Sequence, residues 1–167
     1  MNTTSRIAIG PPSTPADFEA IKTLVIEYVD SLGVSLAHEE LDAELADLAG
    51  KYSSPGGALL LARSDDGTPA GAVALRKVSP EIGEMKRLYV RPSFRGKRTV
   101  DGVSIGRALA EGIVARARSQ GYRRVRLDTI ASKMGVAMSL YRSMGFVSIP
   151  PYYASPLADT AYMELTL

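Results

Sequence analysis

Apolar positions recur along this chain with two alternating periods, and the switches between them divide it into elements. Phe18, Ile21, Leu24, Val25, Tyr28 and Val29 keep the three-and-four spacing of one helix face. Ser13 or Thr14 is placed to cap that helix, with Pro15 in its first turn. A short strand, Arg6 to Gly10, precedes it, and a second, acidic helix is predicted over Leu36 to Leu48 with Leu41, Leu45 and Leu48 inward. Ala58 to Arg63 and Ala70 to Val78 read as strands joined by a turn at Ser64-Asp65-Asp66-Gly67, and Ser79-Pro80 turns the chain into a third. In that third strand Ile82, Glu84, Lys86, Leu88 and Val90 fall on one face, and Gly83, Met85, Arg87 and Tyr89 on the other. Arg91-Pro92 ends it, because proline cannot donate to a sheet. A helix restarts near Ser104, with Ile105, Ala108, Leu109, Gly112 and Ile113 on its apolar face.

The connection from that helix into Arg123 to Ile130 is strand–helix–strand, which places the new strand parallel to the one ending at Val90. A fourth helix covers Lys133 to Met144, capped by Gly145, and closing strands follow Phe146 and cover Ala161 to Leu167. The expectation is one α+β domain over residues 1–167: a mixed, mostly antiparallel sheet of six to seven strands, flanked by about four helices. Its parallel pair is expected to splay at the carboxyl ends, where open sheets bind ligands beside a helix N-terminus.

Charge changes the picture in one place. From Lys86 to Arg107 there are seven Lys/Arg and one acid, Asp101, a net of +6, whereas the whole chain is +2 and the remainder −4. Glycines there let backbone N–H groups approach an anion, and the first helical turn adds orphan donors and the positive end of its dipole. The pattern describes a pyrophosphate cradle; its plain counterpart is a solvated basic loop. Elsewhere the composition, 46% hydrophobic and 23% charged, is that of an ordinary globular chain. The absence of cysteine excludes thiolate metal sites and a cysteine nucleophile, and the one histidine, His38, reads as a surface residue, so no metal site is expected. No apolar run approaches the roughly 20 residues that span a bilayer, and the first residues lack a signal-peptide pattern, so a cytoplasmic protein without membrane or nucleic-acid partners is expected.

Three pieces then resemble the acyl-CoA-binding motif of the GNAT N-acetyltransferase superfamily: Glu84 to Pro92, Arg95-Gly96-Lys97, and Ile105-Gly106-Arg107-Ala108-Leu109. Leu140 to Phe146 resembles that family's next motif, and the likeness extends over essentially the whole chain. Two departures stand out. Arg98 to Val103 looks like an insertion into a normally compact loop, and Ser104 stands where the family usually has glycine. The resemblance implies the GNAT fold, acetyl-CoA as co-substrate, an amine acceptor, and dimers as a common state. It implies phosphate contacts at Arg95, Gly96, Lys97, Ser104, Ile105, Gly106 and Arg107, and pantetheine pairing along Leu88, Tyr89 and Val90.

Acyl transfer from a thioester to an amine needs a neutral amine, a donor for the developing oxyanion and a proton for the leaving thiolate. Glu84 is the first candidate for the base, against an ion pair with Lys86 or a neighbouring arginine; Glu81 and Asp128 stand in reserve. The resemblance makes Tyr141 the candidate acid, since a phenol with a pKa of about 10 keeps its proton at neutral pH; spacing alone describes a core tyrosine. A backbone N–H near Tyr89 is placed to meet the oxyanion. Tyr28, Tyr52, Tyr152 and Tyr153 either line the acceptor side or cover core edge. The acceptor expected is a small-molecule primary amine or a peptide N-terminus. Two alternatives stay open: a CoA-binding regulatory protein of the same fold without turnover, and a nucleotide-phosphate protein, although no Gly-x-x-x-x-Gly-Lys-Ser/Thr occurs.

Overall fold

The computed structural model describes residues 6–33, 38–155 and 157–167. Seven strands form one sheet in the order β1-β2-β3-β4-β5-β7-β6, where β1 is Ile7–Gly10, β2 Ala58–Ser64, β3 Pro69–Ser79, β4 Ile82–Val90, β5 Arg124–Ile130, β6 Val147–Ser148 and β7 Thr160–Thr166. The first four strands pair antiparallel, β4 and β5 pair parallel, and β7 pairs antiparallel with both β5 and β6. Sequence pattern and structure agree on this mixed, mostly antiparallel architecture.

Helix α1 (Pro15–Ser31) starts at Thr14, whose side chain accepts from the Asp17 amide while Asp17 accepts from the Thr14 amide. It lies on one face of the sheet, over a core of Ile21, Leu24, Val25, Leu59, Leu61 and Tyr89. The acidic stretch expected as one helix divides into α2 (His38–Ala46) and α3 (Leu48–Lys51). The break falls at Asp47, which leaves helical geometry and accepts from the Gly50 amide, capping a new turn. Leu36 and the His38 side chain lie outside the described residues. Helices α4 (Ile105–Ser119) and α5 (Gly135–Met144) occupy the opposite face, over Leu75, Met85, Leu109, Ile113, Val125 and Leu127. Gly145, at φ 103°, closes α5 in the left-handed conformation that glycine adopts without penalty. No helix among the described residues is long and apolar enough to cross a membrane.

One feature of β4 departs from the sequence pattern. Strict alternation puts Arg87 and Tyr89 with Gly83 and Met85, but the register slips between Ala72↔Tyr89 and Ala74↔Lys86. Two residues, Arg87 and Leu88, therefore oppose Val73 alone, and Arg87 takes φ 61°, left-handed for a non-glycine residue. Past this bulge the phase inverts. Leu88 and Val90 pack towards α4, whereas Tyr89 joins the α1 side, the side on which Arg87 meets α2.

Beyond Glu84↔Arg126, β4 and β5 have no further pairs. Met85 to Val90 thus runs along a split whose other bank is β5, which pairs β7 throughout its own length.

Candidate active site

The basic loop ends where the split opens. Phe94 is buried under a 3₁₀ turn of Pro92–Phe94 and anchors the loop, and Lys97 lies 5.0 Å over its ring. Arg95 Nε donates to the Val90 carbonyl at 3.0 Å, and its guanidinium lies over the Tyr89 ring. The stretch 98–103 folds as a tight turn: Thr99 N–H donates to the Val103 carbonyl at 2.8 Å and Arg98 to the Gly102 carbonyl at 2.7 Å. This insertion closes on itself and leaves its neighbours open. Ser104 caps α4 through its side chain, accepting from Arg107 N–H, so serine here takes a role glycine cannot. The N–H groups of Gly96 and Gly106 donate to no acceptor among the described residues, whereas Ile105 follows the short bridge between Arg98 and Ser104. A Cβ at Gly106 meets nothing in the protein closer than 3.9 Å, so internal packing does not demand glycine there. Together these residues offer free backbone donors, a helix N-terminus and cations, which fits a diphosphate. Arg107 also bonds Ser143, tying α4 to α5.

The split leads into a cavity of about 350 Å³. Leu88 and Met85 line it from β4, Asp128 and Thr129 from β5, Tyr28 from α1 and Tyr141 from α5. Tyr141 is buried against Phe146, ring centroids 5.6 Å apart, and its hydroxyl has no partner among the described residues. Burial raises its pKa above the ordinary phenol value, with Tyr28 and Asp128 adding to the effect. The hydroxyl therefore stays protonated through the neutral range. Tyr28 is raised by the same cause, and its hydroxyl lies 3.8 Å from Met134 Sδ.

Three carboxylates surround the cavity, each bonded by a tyrosine. Tyr52 donates to Glu44, Tyr152 to Glu84 and Tyr153 to Asp128. Desolvation, followed by these contacts, pushes all three phenols upward. Glu84 is 1% exposed and does not line the cavity. Its Oε1 accepts from Arg76 Nε at 2.7 Å and lies 3.7 Å from Lys86 Nζ, while its Oε2 takes the Tyr152 hydroxyl at 2.6 Å. The first-choice carboxylate thus sits behind a wall made by its own ion-pair partners. Asp128, the reserve candidate, faces the cavity. Glu81 is exposed at the far end of β4, beside Arg123.

Arg76, Glu44 and Thr129 line the same cavity without any signal in the sequence, and Arg87, one of the charged positions of β4, lines it with them. Glu44 belongs to an acidic helix that reads as a solvated face, yet it is buried and ion-paired to Arg87, Nη2 to Oε2 at 3.1 Å. Only the bulge turns Arg87 towards it, and no residue in the strand signals the bulge.

A sheet split beside a helix N-terminus with open backbone donors, leading to a cavity with a carboxylate and a protonated phenol, is the arrangement of an acyltransferase. The acetyltransferase (GNAT) family matches residues 22–146, and the chain belongs to that family. It is 37% identical over 164 residues to an uncharacterized N-acetyltransferase of Schizosaccharomyces pombe, covering 98% of this chain and 96% of that one. An uncharacterized N-acetyltransferase of Dictyostelium discoideum is 28% identical over 211 residues, covering 89% of this chain and 94% of that protein. Among solved structures, an acetyltransferase from Streptococcus agalactiae superposes with a TM-score of 0.76 at 19% identity, covering 96% of this chain and 98% of that one. That last likeness speaks for the fold alone.

Proposed function

We infer that this enzyme transfers an acetyl group from acetyl-CoA to a primary amine of a small molecule, by direct attack of the amine on the thioester. The observation that carries this reading is the meeting of Asp128 and Tyr141 in one cavity at the β4–β5 split. Gly96 and Gly106 hold the diphosphate through their free N–H groups, with Arg95, Lys97, Ser104, Ile105 and Arg107 around it. The edge of Leu88, Tyr89 and Val90 that faces β5, where β4 has no strand partner, guides the pantetheine arm along the split.

Asp128, oriented by Tyr153, takes the proton from the attacking amine. General-base assistance of this kind contributes about 10²–10⁴-fold. An N–H of β4 near Tyr89 meets the oxyanion as the carbonyl carbon becomes tetrahedral. When the carbon–sulfur bond breaks, Tyr141 gives its proton to the departing thiolate. Glu84 acts one layer back, holding Arg76, Lys86 and Tyr152 in place. No covalent acyl-enzyme is involved, since the chain has no cysteine and its one histidine lies beside no serine in the sequence.

The test is an amine panel incubated with acetyl-CoA, with free thiol as the readout. Thiol release that depends on the amine and falls in Asp128→Asn and Tyr141→Phe supports the assignment. Binding of CoA without release for any amine overturns it in favour of a non-catalytic CoA-binding role.

A further inference from the structure

We propose that the acceptor is a free amino acid with an apolar side chain, whose carboxylate is held by Lys86 and Arg76 while its amine is presented to Asp128. The inference rests on the acetyltransferase reading above and specifies the other substrate of the same site.

The argument begins with register. Glu84 and Arg126 are the last paired residues of the parallel strands β4 and β5. Lys86 and Asp128 each lie two positions further on, so the pleat puts them on the same face of the sheet, on opposite banks of the split. They carry opposite charges, and both line the cavity. Among the described residues no ion pair joins them: Lys86 is matched to Glu84 and Asp128 to the Tyr153 hydroxyl. Two opposite charges therefore face one gap without closing it. An amine and a carboxylate borne by one carbon, as in an α-amino acid, bridge such a gap with two charge-assisted contacts of about 2.8 Å each.

Charge accounting on the β4 bank points the same way. Arg76 and Lys86 share a single oxygen of Glu84, whose other oxygen is occupied by Tyr152. One carboxylate thus serves two cations and leaves one positive charge over. The neighbouring Arg87 does not contribute to the excess, because Glu44 neutralises it. The Arg76 side chain is 40% exposed, only its Nε is bonded, and both terminal amino groups remain available for a carboxylate. This surplus is not there for the coenzyme. No residue of the phosphate-binding stretch 95–107 lines the cavity. The rest of the lining includes Leu41, Leu127, Ile130, Met134 and Leu157, which suits an aliphatic or aromatic side chain and leaves no counter-charge for a cationic one.

The test pairs leucine, methionine and phenylalanine with the amines that lack their carboxylates: isopentylamine, 3-methylthiopropylamine and phenethylamine. Acetyl-CoA turnover is measured for each pair in the wild type, Lys86→Met and Lys86→Arg. A kcat/KM at least tenfold higher for an amino acid than for its amine supports the proposal. So does collapse of that preference in Lys86→Met, through KM rather than kcat, with retention in Lys86→Arg. Equal or better turnover of the bare amines overturns the proposal and leaves the acetyltransferase reading standing. If no acceptor releases thiol, the acetyltransferase reading fails, and calorimetry on the CoA-loaded protein decides the carboxylate question separately. Amino acids that bind tenfold tighter than their amines, with the margin lost in Lys86→Met, support it; equal or absent binding overturns it.

Discussion

Tyr152 donates its hydroxyl to Glu84 Oε2 over 2.6 Å, and this contact separates the two carboxylates competing for the role of base. The next residue, Tyr153, does the same for Asp128, so one short segment of the β6–β7 connection orients both acids. Only Asp128 faces the cavity. Asp128→Asn is therefore expected to lower kcat by about 10²-fold or more with the KM for acetyl-CoA unchanged. Glu84→Gln leaves Arg76 and Lys86 without their counter-charge, and is expected to raise the acceptor KM and lower the melting temperature while sparing most of kcat. Steady-state kinetics on both variants check the assignment. A larger kcat loss in Glu84→Gln than in Asp128→Asn reverses the two roles.

Tyr141 yields a prediction in pH as well as in rate. Burial raises its phenol above the ordinary value of about 10, and a general acid acts in its protonated form. The sign follows: kcat should not decline on Tyr141's account as pH rises to about 10. Tyr141→Phe should cut kcat at every pH below that and leave acetyl-CoA affinity nearly intact. A wild-type rate already falling near pH 8, with the fall missing in Tyr141→Phe, contradicts the role.

Much of the framework of this site was legible beforehand because its signals are local. Pro92, the glycines at 96 and 106 and the cations between them mark a basic loop leading into a helix wherever it lies in space, and strand–helix–strand connectivity dictates the parallel pair. What stayed hidden depends on contacts between distant segments. That Glu84 lies behind Arg76 follows from the β3–β4 register, which the alternating pattern does not fix. Burial of Glu44 depends on Arg87 reaching it across the layers, and that in turn needs a bulge made of ordinary residues. Periodicity reads faces correctly only while the period holds, and β4 breaks its period beside the chemistry.

The phosphate cradle predicts the outcome of one substitution. Gly106 has open space where a Cβ would stand, so Gly106→Glu should fold, yet it brings a carboxylate to the helix N-terminus where the diphosphate belongs. Acetyl-CoA at about 100 times its Kd should stabilise the wild type by roughly 2.7 kcal/mol. Thermal unfolding of the variant should show no such increment. An unchanged ligand-dependent shift would mean that the phosphates bind elsewhere.

Alkaline pH should loosen the fold as a whole. Tyr28, Tyr52, Tyr141, Tyr152 and Tyr153 all have raised phenol pKa values, with desolvation the first cause in each. The folded state thus holds these protons at pH values where the unfolded chain, with phenols near 10, has begun to release them. Stability is fully present below about pH 10 on this account and declines above it. The melting temperature should be level between about pH 7 and 9 and drop beyond pH 10. A decline already under way at pH 8 would assign the loss to other groups.

The bulge at Arg87 can be tested through stability alone, without any substrate. Its φ of 61° penalises a side chain bearing a Cβ by about 1–2 kcal/mol relative to glycine. Arg87→Ala and Arg87→Gly both discard the ion pair with Glu44, so that loss cancels between them. What remains is the backbone term. Glycine's greater freedom in the unfolded chain offsets part of it, by roughly 0.4–1 kcal/mol. The glycine variant should therefore be at least as stable as the alanine variant, by up to about 1.6 kcal/mol in denaturant unfolding, with both below the wild type because Glu44 is left buried without its cation. An alanine variant clearly more stable than the glycine variant would mean that β4 runs past Val73 in regular register, which would return Arg87 to the opposite face and remove it from the cavity.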